Sequence, residues 1–516
     1  MAEKKLTDLA IIMNNTADNV AVAKKYIPAK TTLFYDGGYI SLNKTINIGQ
    51  RIALKDIKKG EYVIQYCYPF GKSKGIRKGS LVSIHNVSNV LPKIDIDKYR
   101  QPKKTPYDEK YLKRFFYGFQ RKNGGAGTRN YYLVIPASMC ASGLSLQTAY
   151  DIENNKSLIR RYSNIDGITA IPHAEGCGCD SKLSVERLSR VLKGYISHPN
   201  VGGCVIVEMG CEQSNREKIT YFIKDLIDSC AKPIDWVNIQ SSGGTIEAKG
   251  KIIKIIKKRL PEVNNVKRQQ IPVSKLIAGT ECGASDSFSG ITANPIIGNA
   301  IDKIVAGGGS AILTEMTELI GTFGMLLLRF RTLALAKKFK ELMDWYQNIA
   351  KKLGLTLEAN LVPKNIEGGL INNYIKSIGA VMKGGTTIIE DVIDYAEPVL
   401  KKGLAIMQGP GNDLESITGM VAGGANIICF STGFGTTTGD AICPVIKIAS
   451  NDELYKKMSS DMDFNAGKII SNNESIEDLG TELFEKIISI ASGEKTFSEK
   501  WRQRQFQIWT AGKLSL

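Results

Sequence analysis

GCVIVEMG, residues 203–210, decides the fold. Cys204, Val205, Ile206 and Val207 run together without polar alternation. A strand with one wet face alternates apolar and polar residues, whereas a continuous run suits a strand covered on both faces. YYLVIPA (131–137) and IDWVNIQ (234–240) have the same character, and SAILTE (310–315), GLAIMQGPGND (403–413) and ANIICFSTGFG (425–435) continue it. Helical stretches such as SVERLSRVLKGYI (184–196) lie between them. From Leu335 the series Leu335, Phe339, Leu342, Tyr346, Ile349, Leu353 keeps helical spacing until Gly354 stops it. Alternating strands and helices predict an α/β body.

Around that body the chain has other textures. A length of 516 residues is too great for one core. Residues 1–92 show short strand-like runs, TLFYDGGYISL (32–42), EYVIQYCYPFG (61–71) and SLVSIHNV (80–87), separated by Gly and Asp-Gly turns. They read as a small β module. Residues 93–110 are charged and Pro-bearing and read as a linker. Two α/β domains, 111–270 and 271–516, then form a cleft. No run of 18 apolar residues is present, which excludes a membrane-spanning helix, and the N-terminus lacks a signal-peptide core. The expected location is cytoplasmic. The net charge of +17 is spread widely with no nucleic-acid motif to organise it, so nucleic acid is not expected. An anionic small molecule suits that field better.

In α/β folds, ligands sit on the loops after the strand C-termini. Those loops are where thiols, acids and imidazole gather. IPHAEGCGCD (171–180) offers His173, Glu175, Cys177 and Cys179; EMGCEQSN (208–215) offers Cys211 and Glu212. GTECGASDSFSGITANP (279–295) offers Glu281, Cys282, Ser285 and Asp286 among small residues that no packing segment would use. AILTEMTELIG (311–321) offers Glu315 and Glu318, three apart and so expected on one helical face. None of the ten cysteines has zinc-finger spacing, but loops converging from several strands would suit a metal held by thiolates and imidazole, or an iron–sulfur centre with one open iron. Cys204, Cys230 and Cys429 read as buried packing residues. His198, in SHPN, reads as a surface or capping residue, leaving His85 and His173 as the histidines of interest.

These motifs resemble the altronate/galactarate dehydratase family. DNVAVA (18–23), ALKDIKKGE (53–61) and His85-Asn86 resemble its SAF (β-clip) domain. GAGTRN (125–130), the His173…Cys177 motif, GCE (210–212), the whole of 279–295, LTEMTE (313–318), KGGT (383–386), PGND (410–413), PVIKIASN (444–451) and DFNAG (463–467) resemble its later motifs. The resemblance implies an N-terminal SAF-like domain before the two α/β domains and a metal-dependent lyase. Such an enzyme removes water from a sugar acid or related hydroxy acid to give a 2-keto-3-deoxy acid. It implies Fe²⁺ (or Mn²⁺), an anionic small-molecule substrate, no membrane and a homo-oligomer.

On that reading the metal residues are His173, Cys177, Cys211 and Cys282. His85, Glu212, Glu281, Asp286 and Lys376 carry catalysis; Arg129, Ser285, Asn294, Glu315 and Lys447 bind substrate. Elimination of sulfite from sulfolactate is the alternative within the family, and a non-catalytic binder of acidic metabolites is the alternative outside it. The second is motivated by departures from the family pattern. Gln50-Arg51 stands where His-Lys is usual, Ser83 where a histidine is usual, Asn360-Leu361-Val362-Pro363-Lys364-Asn365 replaces Asn-Pro-Ser-Pro-Gly-Asn, and Ile375 replaces an acid.

Overall fold

The structure, a computed structural model, describes residues 4–103, 105–176, 182–212, 232–356 and 360–510. The N-terminal module is built from short antiparallel strands. Ala10–Ile11, Val20–Ala23, Arg51–Ala53 and Leu81–Val82 form one sheet, with the hairpin Thr32–Tyr35/Gly38–Ser41 and the trio Tyr62–Gln65, Tyr68–Ser73, Val87–Ser88 beside it. The chain then enters and leaves the central region through an antiparallel pair, Phe115–Gln120 with Arg268–Pro272, in which Phe116 opposes Ile271.

The body holds two wholly parallel sheets. The central sheet comprises β1 (Tyr131–Pro136), β2 (Gly167–Ala170), β3 (Val201–Glu208) and β4 (Ile234–Asn238) in the order β2-β1-β3-β4. Every residue of β3 is buried, as its unbroken apolar run demands. The larger sheet comprises β5 (Ile277–Gly283), β6 (Ser310–Leu313), β7 (Ile389–Ile393), β8 (Gly403–Met407), β9 (Ile427–Thr432), β10 (Val445–Ala449) and β11 (Phe464–Asn465), in the order β7-β8-β6-β5-β9-β10-β11. The order reverses around β5, which therefore lies at a switch point where adjacent loops diverge and leave a crevice.

Among the described residues the two sheets pack directly on each other over much of their faces, and the opening between them is a groove of about 430 Å³ where Pro172, His173 and Glu175 meet Glu415 and Phe506. Tyr131, Ile135 and Ile206 of the central sheet share one core with Ile312, Ala405, Ile428 and Phe430 of the larger one. Helix Lys182–Ser197 lies against helix Asp413–Ala422 so closely that a Cβ on Gly194 would sit 2.3 Å from the Ala422 carbonyl oxygen. The cleft that contains Cys282 lies elsewhere, against the N-terminal module. The N-terminal module docks on the helix Asn373–Val381, where Val20, Ala53, Val63, Phe70, Val82 and Val87 pack with Leu370, Ile371, Ile375 and Ile378. At roughly 1.5–3 kcal/mol per buried side chain, those four residues alone contribute on the order of 10 kcal/mol of gross burial energy. Asn372 Nδ2 adds a bond of 2.8 Å to the Phe70 carbonyl oxygen. Ile375 is thus an apolar contact to the module.

The helix read from Leu335 onward spans Leu333–Lys352, capped by Thr332 Oγ1 on the Leu335 amide. Its most buried stripe is Ala336, Phe339, Met343 and Ala350, with Leu335, Leu342 and Tyr346 on the shoulder. Leu353 falls outside the helix and is exposed. Among the described residues no helix is long and apolar enough to cross a membrane.

Candidate active site

Strand β5 carries Glu281 and Cys282 to its C-terminal end, and the ends of its neighbours supply what surrounds them. Glu315 follows β6 with φ +65°, a left-handed conformation that costs a non-glycine residue roughly 1–2 kcal/mol and turns its carboxylate back toward β5. Glu318 ends the 3₁₀ turn Met316–Glu318, so the two acids reach one place from a tight turn rather than along a helix face. Lys376 comes from helix Asn373–Val381, Lys383 from the 3₁₀ turn after it, and Asp413 from the first turn of helix Asp413–Ala422.

Cys282 Sγ lies 3.0 Å from Glu318 Oε2, 3.8 Å from Glu315 Oε1 and 2.8 Å from Lys383 Nζ. The Cys282 amide donates to Glu315 Oε2 at 3.2 Å. Lys383 Nζ also donates to Glu315, and Lys376 pairs with Glu318 at 2.8 Å. All of these side chains are buried. Burial pushes the Cys282 thiol well up, and Glu315 and Glu318 push it further. Burial lifts the Glu315 carboxyl to about 7 against the pull of Lys383. Burial also acts on Glu318, but Lys376 and Lys383 outweigh it and hold that carboxylate below its usual range. Lys383 resists the same desolvation because Cys282, Glu315, Glu318 and Glu281 favour its charge.

Glu281 is fully buried; among the described residues no N–H or hydroxyl reaches its carboxylate oxygens, which meet the Glu315 carboxyl instead. Burial and then Glu315 push its carboxyl well up, against the pull of Lys383. Asp413 is lifted to about 6 by burial and by Glu318.

The donor set fits a metal ion. The ligand atoms of Cys282, Glu315 and Glu318 all lie within 4.8 Å of one another, and they form the one such group among the described residues. Two ammonium groups face four carboxyls and a thiol, so the cluster stays neutral only by keeping acids protonated. It can accept a divalent charge by releasing those protons.

Other expected residues stand nearby but outside the cluster. Ser285 and Asp286 line the cleft below the N-terminal module with Asn294 and Lys376. Asp286, raised by burial, is claimed by Ser289 (2.8 Å), Ser450 (3.0 Å) and Asn451 (3.2 Å). Asn294 donates to the Gly379 carbonyl oxygen at 2.9 Å and accepts from Ser431 Oγ at 2.5 Å. His85 is exposed and lines a neighbouring groove of about 480 Å³ with Gln50, Ser83 and Leu370; Leu370 lines both that groove and the cleft. The substituted histidine positions therefore lie beside the cluster, not in it.

The remaining expectations that fall on described residues are corrected. His173 and Cys211 contribute nothing to the cluster. The His173 ring bonds the Pro136 carbonyl oxygen at 2.9 Å and accepts from the Glu175 amide, and Cys211 is exposed beyond β3. Glu212 accepts from the Met209 and Gly210 amides, closing its own turn. Cys177, with 178–181, and Cys230 lie outside the described residues. Arg129 spends all five donors inside the protein: on both Glu499 oxygens and on the carbonyls of Thr128, Ile490 and Glu494. It holds the fold and has nothing left for a substrate. Lys447 is buried against Gln503 and Asp461. His198 is buried, bonded to the Ala425 carbonyl oxygen and the Asn200 amide.

Lys383 and Asp413 lie inside KGGT and PGND without being singled out there, and Glu318 is named beside Glu315 without a role of its own. The altered 360–365 run keeps what matters: Asn360 accepts from Lys376 Nζ at 3.2 Å and Asn365 donates to the Ser285 carbonyl oxygen at 2.8 Å, while the changed residue Val362 is exposed.

Residues 273–514 match the D-galactarate/altronate dehydratase C-terminal model, 118–264 the second-domain model and 9–90 the altronate/galactarate dehydratase SAF domain. Altronate dehydratase of Bacillus subtilis (strain 168) is 31% identical over 96% of this chain and 97% of its own length. Galactarate dehydratase (L-threo-forming) of Escherichia coli (strain K12) is 32% identical over 94% and 93%. The (2R)-sulfolactate sulfo-lyase subunit beta of Chromohalobacter salexigens is 28% identical over 77% of this chain and 97% of its own. With a buried thiol–carboxylate–ammonium cluster at the switch point of its larger sheet and all three family models matched along it, this chain belongs to the altronate/galactarate dehydratase family.

Proposed function

We propose that the protein is a metal-dependent hydro-lyase acting on a sugar acid. It removes the hydrogen α to the carboxylate and the β-hydroxyl as water, leaving an enol that tautomerises to a 2-keto-3-deoxy acid. The observation that carries this reading is the convergence of Cys282, Glu315 and Glu318 with Lys376 and Lys383 in a dry site. An α-hydrogen is weakly acidic, and its removal needs concentrated positive charge where the enediolate forms.

Cys282, Glu315 and Glu318 would hold Fe²⁺, or Mn²⁺ as the alternative, which as a Lewis acid polarises the substrate carboxylate. Lys383 and Lys376 add fixed positive charge whose cost of burial the fold has already met. Asp413, near 6, is matched to accept the α-proton at neutral pH. Glu281, whose carboxyl burial and Glu315 push up, is the group suited to donate to the departing hydroxyl. Two carboxyls in unlike surroundings thereby take opposite roles.

The test is turnover by full-length protein reconstituted anaerobically with Fe²⁺, offered D-altronate, galactarate and sulfolactate. Formation of a 2-keto-3-deoxy acid from a hexonate or hexarate supports the proposal. Turnover of sulfolactate alone would replace it with the sulfo-lyase reading, and turnover of none would leave the binder.

A further inference from the structure

Arg51 is a buried cation with no carboxylate paired to it among the described residues. It begins strand Arg51–Ala53 of the N-terminal module and points into the interface with the larger α/β body, where only 1% of it is exposed. Its Nε donates to Gln65 Oε1 at 2.7 Å, and Nη1 donates to Ser287 Oγ at 3.3 Å and to the Gly369 carbonyl oxygen at 2.6 Å. Those bonds use three of its five donors and leave the two on Nη2. Among the described residues no carboxylate pairs with it. Burial lowers its guanidinium to about 10, and the titratable neighbour that favours its charge is Tyr66. A guanidinium desolvated without an anion costs several kcal/mol, so its retention calls for a ligand.

The free side faces the cleft that contains the active-site thiol. Arg51 and Tyr66 line it from the module; Cys282, Ser285, Asn294 and Lys376 line it from the body. Tyr66 is put there at a cost. It and Cys67 form a two-residue hairpin turn with φ +59° and +61°, a conformation that favours glycine. Asp18 holds the turn by accepting from the Cys67 amide at 2.9 Å. Asp286, the acid on the cleft wall, is occupied by its own hydroxyl and amide donors. The closed cleft offers about 10 Å³, space for one water, so a ligand enters only as the module or its side chains give way.

We propose that Arg51 is a substrate-binding residue. Through Nη2 it takes a carboxylate of the sugar acid, so that the N-terminal module completes the active site by closing an anion between itself and the body. This rests on the sugar-acid reading for the identity of the anion, though not for the existence of the site.

The experiment compares wild type, Arg51→Gln and Arg51→Lys as full-length Fe²⁺-loaded protein. Calorimetry measures binding of D-altronate and of its neutral amide, and turnover gives KM and kcat. Losing a desolvated charge pair costs on the order of 100-fold or more, so Arg51→Gln should weaken altronate that much, mostly in KM, with Arg51→Lys intermediate. Affinity for the amide should change less than threefold, and a structural role would weaken both ligands alike. Equal losses for acid and amide, or unchanged altronate affinity in Arg51→Gln, overturn the proposal. If Arg51→Gln does not fold, Arg51→Lys decides by the same acid-to-amide ratio. Should wild type bind altronate in an Arg51-dependent way without dehydrating it, the hydro-lyase reading fails while this inference stands.

Discussion

The loops after the central sheet and the loops after the larger sheet look alike in sequence, yet the protein treats them differently. After the central sheet, Glu212 is consumed by two amides of its own turn and His173 by a neighbouring carbonyl and amide. After the larger sheet, Glu281, Cys282, Glu315, Glu318 and Asp413 face one another and two lysines, and among the described residues no N–H or hydroxyl reaches Glu281. A polar loop residue that bonds its own backbone is finished structure. One left facing acids from other strands is a site held at a cost in stability.

The largest expected effect is on turnover. Cys282→Ala removes the atom that joins both acids and Lys383, so activity should fall by about 100- to 1,000-fold, as when one preorganised charge contact is lost. Metal stoichiometry, read by elemental analysis, should fall with it. Retained turnover would dissolve the contrast between the two sets of loops.

Next is stability. Lys383→Met leaves Glu315 and Glu318 without a buried cation they share, and breaking such a pair typically costs about 3–5 kcal/mol. Urea unfolding measures this, and adding Fe²⁺ should restore part of it. A variant as stable as wild type would mean the acids are protonated and indifferent to the lysine.

A smaller effect concerns the packing of the two sheets. His198 is fully buried between helix Lys182–Ser197 and the larger sheet, and burial lowers its imidazole from 6.5 to about 3. The folded protein therefore binds fewer protons than the unfolded chain between those values. This contribution is present in full above pH 6.5 and is lost as pH falls, at up to about 1.4 kcal/mol per pH unit. His198→Gln should flatten that limb of the stability profile between pH 6 and 4. An unchanged slope would assign the acid sensitivity to the carboxylates. Smallest of all, Cys211→Ala should leave stability within about 0.5 kcal/mol and turnover unaltered.

Much of this was legible in the residues. Unbroken apolar runs announced strands buried on both faces, and the polar loops after them announced where chemistry would lie. Residues 279–295 were distinctive because nothing there packs. Which loops meet was not legible, because a buried strand reads the same in either sheet and only the strand order decides its neighbours. Lys383 was missed because nothing in KGGT shows that its side chain turns inward. Arg51 stood out as a departure from the family pattern, but only the docking of the module makes it a buried charge. Ile375 and Val362 looked like damage to a site; one is a docking contact and the other points to solvent.

The central claim is that the metal sits with Cys282, Glu315 and Glu318. Crystals of Fe²⁺-loaded protein measured at the iron absorption edge test it directly. One anomalous peak is expected, bonded to Cys282 Sγ and to carboxylate oxygens of Glu315 and Glu318. A peak at His173 or Cys211, with Lys383 still seated on the Cys282 thiol, would contradict it.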